Sequence, residues 1–377
     1  PLFLEKTAGA LTVCGDGAIP PSRHAMRDYF LRRFLLVIPT LLGITVLVFF
    51  VSRVLPGGPL DQALMSVQMQ AAQGGHQMAS RPGQNSNITP EQREQLAALY
   101  GYDKPWYKAY FQWLGQVCRG DLGTSFRYQI PVWDMIAQRL PISMYYGAVT
   151  LVLTYLICIP LGILKAIKHR TWMDSSSSVL VFAGYAIPGY VLGALLLLFL
   201  SFNHDWFPKR GFVGEDFEGL SFWNLLFSGD GDALRMLGDI VWHSVLPLCC
   251  YMVGEFAFLT LMMKNSLMDN LAADYMRTAV GKGLPFRKAV VGHAMRNSLI
   301  PIATSFGNNI SAILTGSFLI EKIFNIDGFG LLGFNSVVDY DYPVVMGVLL
   351  LSAGLLLIGN IFSDMLVAAV DPRIRFK

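Results

Sequence analysis

Three groups of residues could do chemistry, and in each the chemistry is recognition. Glu255 lies inside the apolar run WHSVLPLCCYMVGEFAFLTLMM, nine residues before Lys264. At the helical rise that is about 13 Å of chain, deep enough in a bilayer for ionisation to require a partner or water. Thr304, Asn308, Ser311 and Thr315 recur at i, i+4, i+7 and i+11, which stacks them on one helix face. Their hydroxyl and amide groups can line a hydrated path or bond to a neighbouring helix, and the spacing serves either role. Ser305 and Asn309 sit to the side. The third group is DYMRTAVGKGLPFRKAVVGHAMRNSLIP, from Asp274 to Pro301. Its Arg, Lys and Gly residues form a basic, sharply turning surface suited to contact with another protein or to serving as a basic connector.

Bond-making chemistry finds no support. There is no HExxH, no CxxC and no pair of His at helical spacing among the 6 His and 5 Cys, so no metal site or disulfide framework is expected. A phosphate-binding loop needs G-x-x-x-x-G-K-[ST]. Gly281-Lys282-Gly283 lacks both the hydroxyl and the upstream glycine. No G-x-S-x-G elbow is present either. No cofactor is expected in this chain, and energy for uphill movement must come from another subunit.

The elements that position these groups follow from composition. Of the 377 residues 53% are hydrophobic and 15% charged, against roughly 25% charged in soluble domains. About 20 apolar residues cross a hydrocarbon core. Six segments qualify: Phe34 to Val54, Ser143 to Leu164, Ser176 to Phe202, Trp242 to Met263, Leu299 to Ile320 and Pro343 to Val367. The expected fold is all-α and polytopic, with six transmembrane helices. Basic residues mark every second loop: Arg27, Arg32 and Arg33; Lys165, Lys168 and Arg170; Lys264, Arg277, Lys282, Arg287, Lys288 and Arg296; Arg373, Arg375 and Lys377. That alternation places both termini in the cytoplasm. The net charge of +3 then reflects topology and not nucleic-acid binding.

Residues 1–25 read as a non-native or disordered N-terminal extension, with Met26 the expected start and 26–54 the cytoplasmic flank and first span. Residues 55–140 form an outer loop, of which 66–90, rich in Gln, Gly, Ser and Asn, is expected to be flexible. Helices are expected after Thr89-Pro90-Glu91 and around Trp106 to Cys118, making a small helical cap. Residues 141–377 form the core, with the basic loop at 265–298. Within that loop Tyr275 to Lys282 can form a helix. Gly283 allows the positive φ that ends it, and Pro285 enforces the stop.

Landmarks in a fixed order now carry a resemblance. They are Pro56-Gly57-Gly58-Pro59, Tyr102-Asp103-Lys104-Pro105, Arg119-Gly120-Asp121-Leu122-Gly123-Thr124-Ser125, Arg139-Leu140-Pro141, Ile159-Pro160-Leu161-Gly162, and His243 with Leu246-Pro247. Phe324, Gly328 and Gly330 follow, then Asp341-Tyr342-Pro343 and Asp371-Pro372-Arg373-Ile374. From Met26 onward the chain resembles the permease subunits of bacterial oligopeptide and dipeptide ATP-binding-cassette importers. It is most similar to the Yej-type branch, which takes up oligopeptides and peptide-like compounds such as microcin C.

The resemblance implies the type I importer permease fold in the bacterial inner membrane. It implies a second homologous permease subunit, ATP-binding-cassette ATPase subunits that hold ATP and Mg, a periplasmic peptide-binding protein and a peptide substrate. The chain itself would be non-catalytic. The basic loop would be the family's ATPase-coupling loop, through Tyr275, Arg277, Thr278, Ala279, Lys282, Gly283 and His293. Here Val280 and Gly281 depart from the usual peptide-permease pattern, and Gly281 softens the helix end by roughly 1 kcal/mol relative to Ala. Glu255, Thr304, Asn308, Ser311 and Thr315 are the candidates for the translocation pathway. Glu255 would face a cationic group of a peptide or an arginine of the partner permease, or else be a protonated or hydrogen-bonded structural residue. A stand-alone secondary transporter or channel is the alternative. It calls for inverted repeats and several intramembrane charges, and neither is evident.

Overall fold

The computed structural model describes residues 23–54, 104–217, 219, 232–314 and 316–370. They are helical apart from connecting turns and one isolated bridge between Thr124 and Pro131. In chain order the helices are α1 (Arg23–Val54), α2 (Trp106–Val117), α3 (Val132–Ile167), α4 (Trp172–Ala186) and α5 (Gly189–Phe202). Then come α6 (Asp232–Ala272), α7 (Asp274–Gly281), α8 (Met295–Leu314), α9 (Phe318–Ile323), α10 (Phe329–Val338) and α11 (Tyr342–Val370). The flexible stretch 66–90, the helix after Thr89, the Pro56–Pro59 turn, Asp371–Ile374 and most of residues 1–25 lie outside the described residues. α1 begins at Arg23, ahead of Met26.

Leu31–Phe50, Val132–Ile167, Ala233–Ala272 and Tyr342–Leu366 are each long and apolar enough to cross a membrane, and α4 with α5 forms a fifth span bent by 94°. The remaining expected span falls on α8. Its Asn, Ser and Thr residues make it less apolar than the others, and it packs against α3, α6 and α11. Neighbouring helices can accept polar groups that lipid would reject.

Several expected limits are corrected. The boundary at 140/141 falls inside α3, which starts at Val132 rather than Ser143. Val132, Met135 and Ile136 are buried against Phe329, Leu332 and Val344, and that apolar packing carries the helix past the span. The third span is not one rod. Ile187 is extended, as a residue before proline prefers, and Gly189 then lets α5 press so closely on α6 that a Cβ would meet the Cys250 carbonyl oxygen at 2.5 Å. The fifth span stops at Leu314 and not at Ile320, because Gly316 turns the chain with φ +71° and α9 starts anew. Residues 265–298 are largely helical, since α6 continues to Ala272 and α8 begins at Met295.

Lys165 and Lys264, counted above as loop charges, lie inside α3 and α6 with side chains 0% and 12% exposed. Both surround Asp174 in the first turn of α4. Lys165 Nζ donates to the Asp174 carbonyl at 2.9 Å and to the Ser177 and Ser178 hydroxyls at 2.8 Å. Buried charges persist only when paired in this way. The second expected helix of the outer loop is present as α2. It packs on α1 through Phe49 and Tyr110, with Thr45 and Tyr110 hydroxyls 3.0 Å apart. At the basic-loop end Arg33 of α1 pairs with Asp364 of α11.

Candidate functional site

The basic loop folds because α7 is amphipathic. Met276 is buried and Ala279 half-buried, while Asp274, Tyr275, Arg277, Thr278, Val280, Gly281, Lys282 and Gly283 are exposed. α7 runs from Asp274 to Gly281 with Lys282 as its C-cap, close to the expected span. Gly283 N–H donates to the Val280 carbonyl at 2.9 Å and Leu284 N–H to the Ala279 carbonyl at 3.2 Å, the paired bonds of a Schellman ending. Gly283 holds φ +86°, and a Cβ there would meet nothing within 4 Å. Its requirement for glycine is therefore conformational and not spatial. Pro285 caps the next turn, Phe286–Ala289, which runs through the wide turn Val290–Ala294 into α8.

Underneath, Met276 joins Met263 and Leu267 of α6, Ala289, Val290 and Ala294, Ile302 of α8, and Cys158 and Ala166 of α3 in one buried apolar cluster. Tyr275 adds a polar fastening: its hydroxyl donates to Asn270 Oδ1 at 2.6 Å and accepts from Asn297 Nδ2 at 3.4 Å. Asn270 in turn donates to the Ser266 carbonyl at 2.8 Å. The loop is thus held by α6, α8 and α3 together. A push on α7 reaches three spans through close-packed side chains. The outward face presents Arg277, Lys282, Arg287 and Lys288 beside exposed Val280 and Phe286, a basic surface with apolar anchors. His293 is exposed on the turn leading into α8.

The intramembrane candidates fall on two helices. α8 is helical through Leu314, so positions 304, 308 and 311 keep one register. Thr304 is exposed, with its hydroxyl returned to the Ile300 carbonyl at 3.0 Å. The side chains of Asn308 and Ser311, and Thr315 altogether, lie outside the described residues. Ser305 and Asn309 both meet the Tyr155 hydroxyl of α3, each at 3.3 Å, so that side of α8 is an interhelical contact. Glu255 on α6 is half-buried, lies close enough to Tyr155 and Cys158 to act on them electrostatically, and has no hydrogen-bond or ion-pair partner among the described residues. Glu255, Ser305 and Asn309 therefore meet near Tyr155 at the junction of α3, α6 and α8.

At the end opposite the basic loop a cavity of about 1300 Å³ is lined by Gln138, Phe207, Arg210, Phe212, His243 and Asp327, among others. Its charges are already matched: Lys209 with Asp205 at 2.6 Å, Arg210 with Glu215 at 3.4 Å and Asp327 with Arg139 at 2.8 Å. Two further features escaped sequence reasoning. Ser125 and Asp341, both buried, hydrogen-bond to each other, and Phe126 N–H donates to the same carboxylate at 3.0 Å. Glu321 is fully buried beneath α10. The clustering of Gly316, Gly328 and Gly330 around Glu321 and Asp327 in the sequence was the available signal.

Residues 158–376 match the family described as "Binding-protein-dependent transport system inner membrane component". The chain is 36% identical to the peptidoglycan transport system permease protein YejB of Agrobacterium fabrum, over 93% of this chain and 99% of that protein. It is 35% identical to the inner membrane ABC transporter permease protein YejB of Escherichia coli O157:H7, over 93% of this chain and 100% of that protein. Against the oligopeptide transport system permease protein AppB of Bacillus subtilis the figures are 34%, 93% and 100%.

Proposed function

Because the chain belongs to the binding-protein-dependent transport system inner membrane component family, we propose that it is the transmembrane permease subunit of an ATP-driven importer of oligopeptides or peptide-like compounds. It forms half of the translocation pathway beside a second homologous permease. ATPase subunits, carrying ATP and Mg, dock on the basic loop, and a periplasmic peptide-binding protein delivers cargo at the opposite end. Both termini and α7 face the cytoplasm.

The observation that carries this reading is the fastening of α7. A rigid short helix, stopped at Gly283 and seated on one apolar cluster shared by α3, α6 and α8, suits the transfer of ATPase movement to the spans. Its exposed basic and apolar face suits a protein cleft. The cavity at the other end supports a peptide substrate. Its wall charges are each paired and Phe202, Phe207 and Phe212 line it, which favours tolerance of cargo of differing charge. Glu255 and the Thr304 face of α8 lie along the pathway.

The test is co-expression with candidate ATPase and permease partners, purification in mild detergent, and measurement of peptide-stimulated ATP hydrolysis with and without Gly283→Asp. Co-purification with activity uncoupled by the substitution is the expected result. A chain that purifies alone and carries solute into liposomes without ATP would overturn the importer reading.

A further inference from the structure

Opposite the basic loop, a carboxylate is enclosed by helices from four parts of the chain. Glu321 has no exposed surface. Its Oε1 accepts the Ser143 hydroxyl of α3 at 2.8 Å, and its Oε2 accepts the Leu331 backbone N–H of α10 at 2.6 Å. Tyr251 of α6 is the third polar group that bears on it. The bonds that both hydroxyls accept set their direction. Ser143 Oγ accepts the Phe329 N–H at 2.8 Å, and the Tyr251 hydroxyl accepts the Ser317 N–H at 3.2 Å. The Ser143 hydroxyl keeps its own proton to give, and Glu321 takes it.

The group stands at the first turn of α10, where Phe329 and Leu331 would otherwise hold free N–H groups and where negative charge is favoured. Three glycines leave the room it needs. A Cβ on Gly328 would lie 2.5 Å from the carboxyl carbon, one on Gly316 would collide with Oε1, and one on Gly330 would stand 3.2 Å from Oε2. Movement of this joint reaches further. Gly211 N–H donates to the Phe324 carbonyl at 2.8 Å, and Asp327 pairs with Arg139 of α3, both beside the outer cavity.

We infer that Glu321 is the positioning residue of the outer end: its carboxyl seats α9 and α10 on α3 and α6, and this joint parts when that end opens to admit substrate. The opening takes its meaning from the importer reading; the joint itself does not depend on it.

The joint has a signature that mere packing lacks. The other ionisable groups facing Glu321 are Tyr146 of α3, Tyr251 of α6 and Asp327; α5 and α10 bring no charged residue. Burial pushes the Glu321 carboxyl up from its ordinary 4.5 to about 7, against the lowering effect of Leu331, Ser143 and Tyr251. Once hydrated in an open joint, it returns to the ordinary range, about 4.3. The closed joint therefore binds the proton more tightly. Acid medium favours closure, and opening gains up to about tenfold per pH unit across this window, levelling off above the buried value.

The experiment is amide hydrogen exchange at Phe329, Gly330 and Leu331 in the assembled importer in lipid nanodiscs, corrected for intrinsic rates, from pH 5 to 8.5, beside peptide uptake into proteoliposomes at the same outside pH values. Wild type should open more as pH rises and then level off. Glu321→Gln, which cannot titrate, should be flat, and the ratio of wild-type to Glu321→Gln uptake should follow the same curve. Ser143→Ala removes a donor to the carboxylate and should move the plateau to higher pH. A pH-independent wild type, a Gln variant that keeps the wild-type slope, or a constant uptake ratio would overturn the inference. If the Gln variant does not assemble, an unmoved or lowered plateau in Ser143→Ala does so instead. Absence of peptide-stimulated ATP hydrolysis with the exchange slope intact would sink the importer reading and leave the joint standing.

Discussion

Lys264 of α6 holds its ammonium 2.7 Å from one carboxylate oxygen of Asp174 and 2.8 Å from the other, while Lys165 of α3 stands 3.2 Å away on the same carboxylate. Three spans are thereby clamped at the end that carries the basic loop. Asp174→Ala leaves two buried ammonium groups without their shared anion. Breaking one side of a buried pair costs about 3–5 kcal/mol, so the variant should lose most of its assembled yield in detergent. Lys264→Met should cost far less, because Lys165 still neutralises the carboxylate. Equal thermal stability of the two variants would refute the clamp.

The two glycines of the basic loop should respond in opposite directions. Gly283→Ala forces a side chain into the left-handed region at about 1–2 kcal/mol and should lower peptide-stimulated ATP hydrolysis. Gly281 is helical with open space around it, so Gly281→Ala should stabilise α7 by up to about 1 kcal/mol and leave coupling intact. Stimulated and basal hydrolysis measured on both variants separate the outcomes.

Met276→Ala empties part of the cluster beneath α7, at about 2–4 kcal/mol of lost local packing. The ATPase should still co-purify, but the stimulated fraction of its activity should fall several-fold. Full stimulation would mean that seating of α7 is not needed for coupling.

For the pathway, Glu255→Gln should reduce uptake of basic peptides and spare neutral ones; an equal loss for all would remove contact with the substrate. Cysteine at Asn308 should react with a water-borne thiol reagent in at least one nucleotide state. Silence in every state would take that position off the path.

Gly328→Ala sets a methyl group against the Glu321 carboxyl and should destabilise strongly. Combined with Glu321→Ala the loss should be smaller than the sum, since contacting residues are not additive. Thermal unfolding of the two single variants and the double variant measures the coupling.

What could be read along the chain was what local rules govern. The long apolar runs, the stop of α7 at Gly283 and the helix that begins at Trp106 each depend on neighbours within a few residues. Local spacing predicted one face for Thr304, Asn308, Ser311 and Thr315, and α8 carries the first three of these positions in one register, but whether that face meets water or another helix depends on distant chain. Counting Lys165 and Lys264 as loop charges failed for the same reason, because the carboxylate that buries them belongs to α4 and a basic residue near an apolar run reads as exposed.

Hydropathy and length decided that this chain is a bundle of membrane spans, because the bilayer imposes one length on every helix that crosses it. Glycine and proline decided where several of those helices turn, because φ is a property of the residue itself. The joints were decided only by the folded chain. Ser143 meets Glu321, Ser125 meets Asp341 and Tyr155 meets Asn309 across long stretches of sequence. A buried polar group takes whichever partner the packing of helices delivers, and that partner's position in the chain carries no local trace.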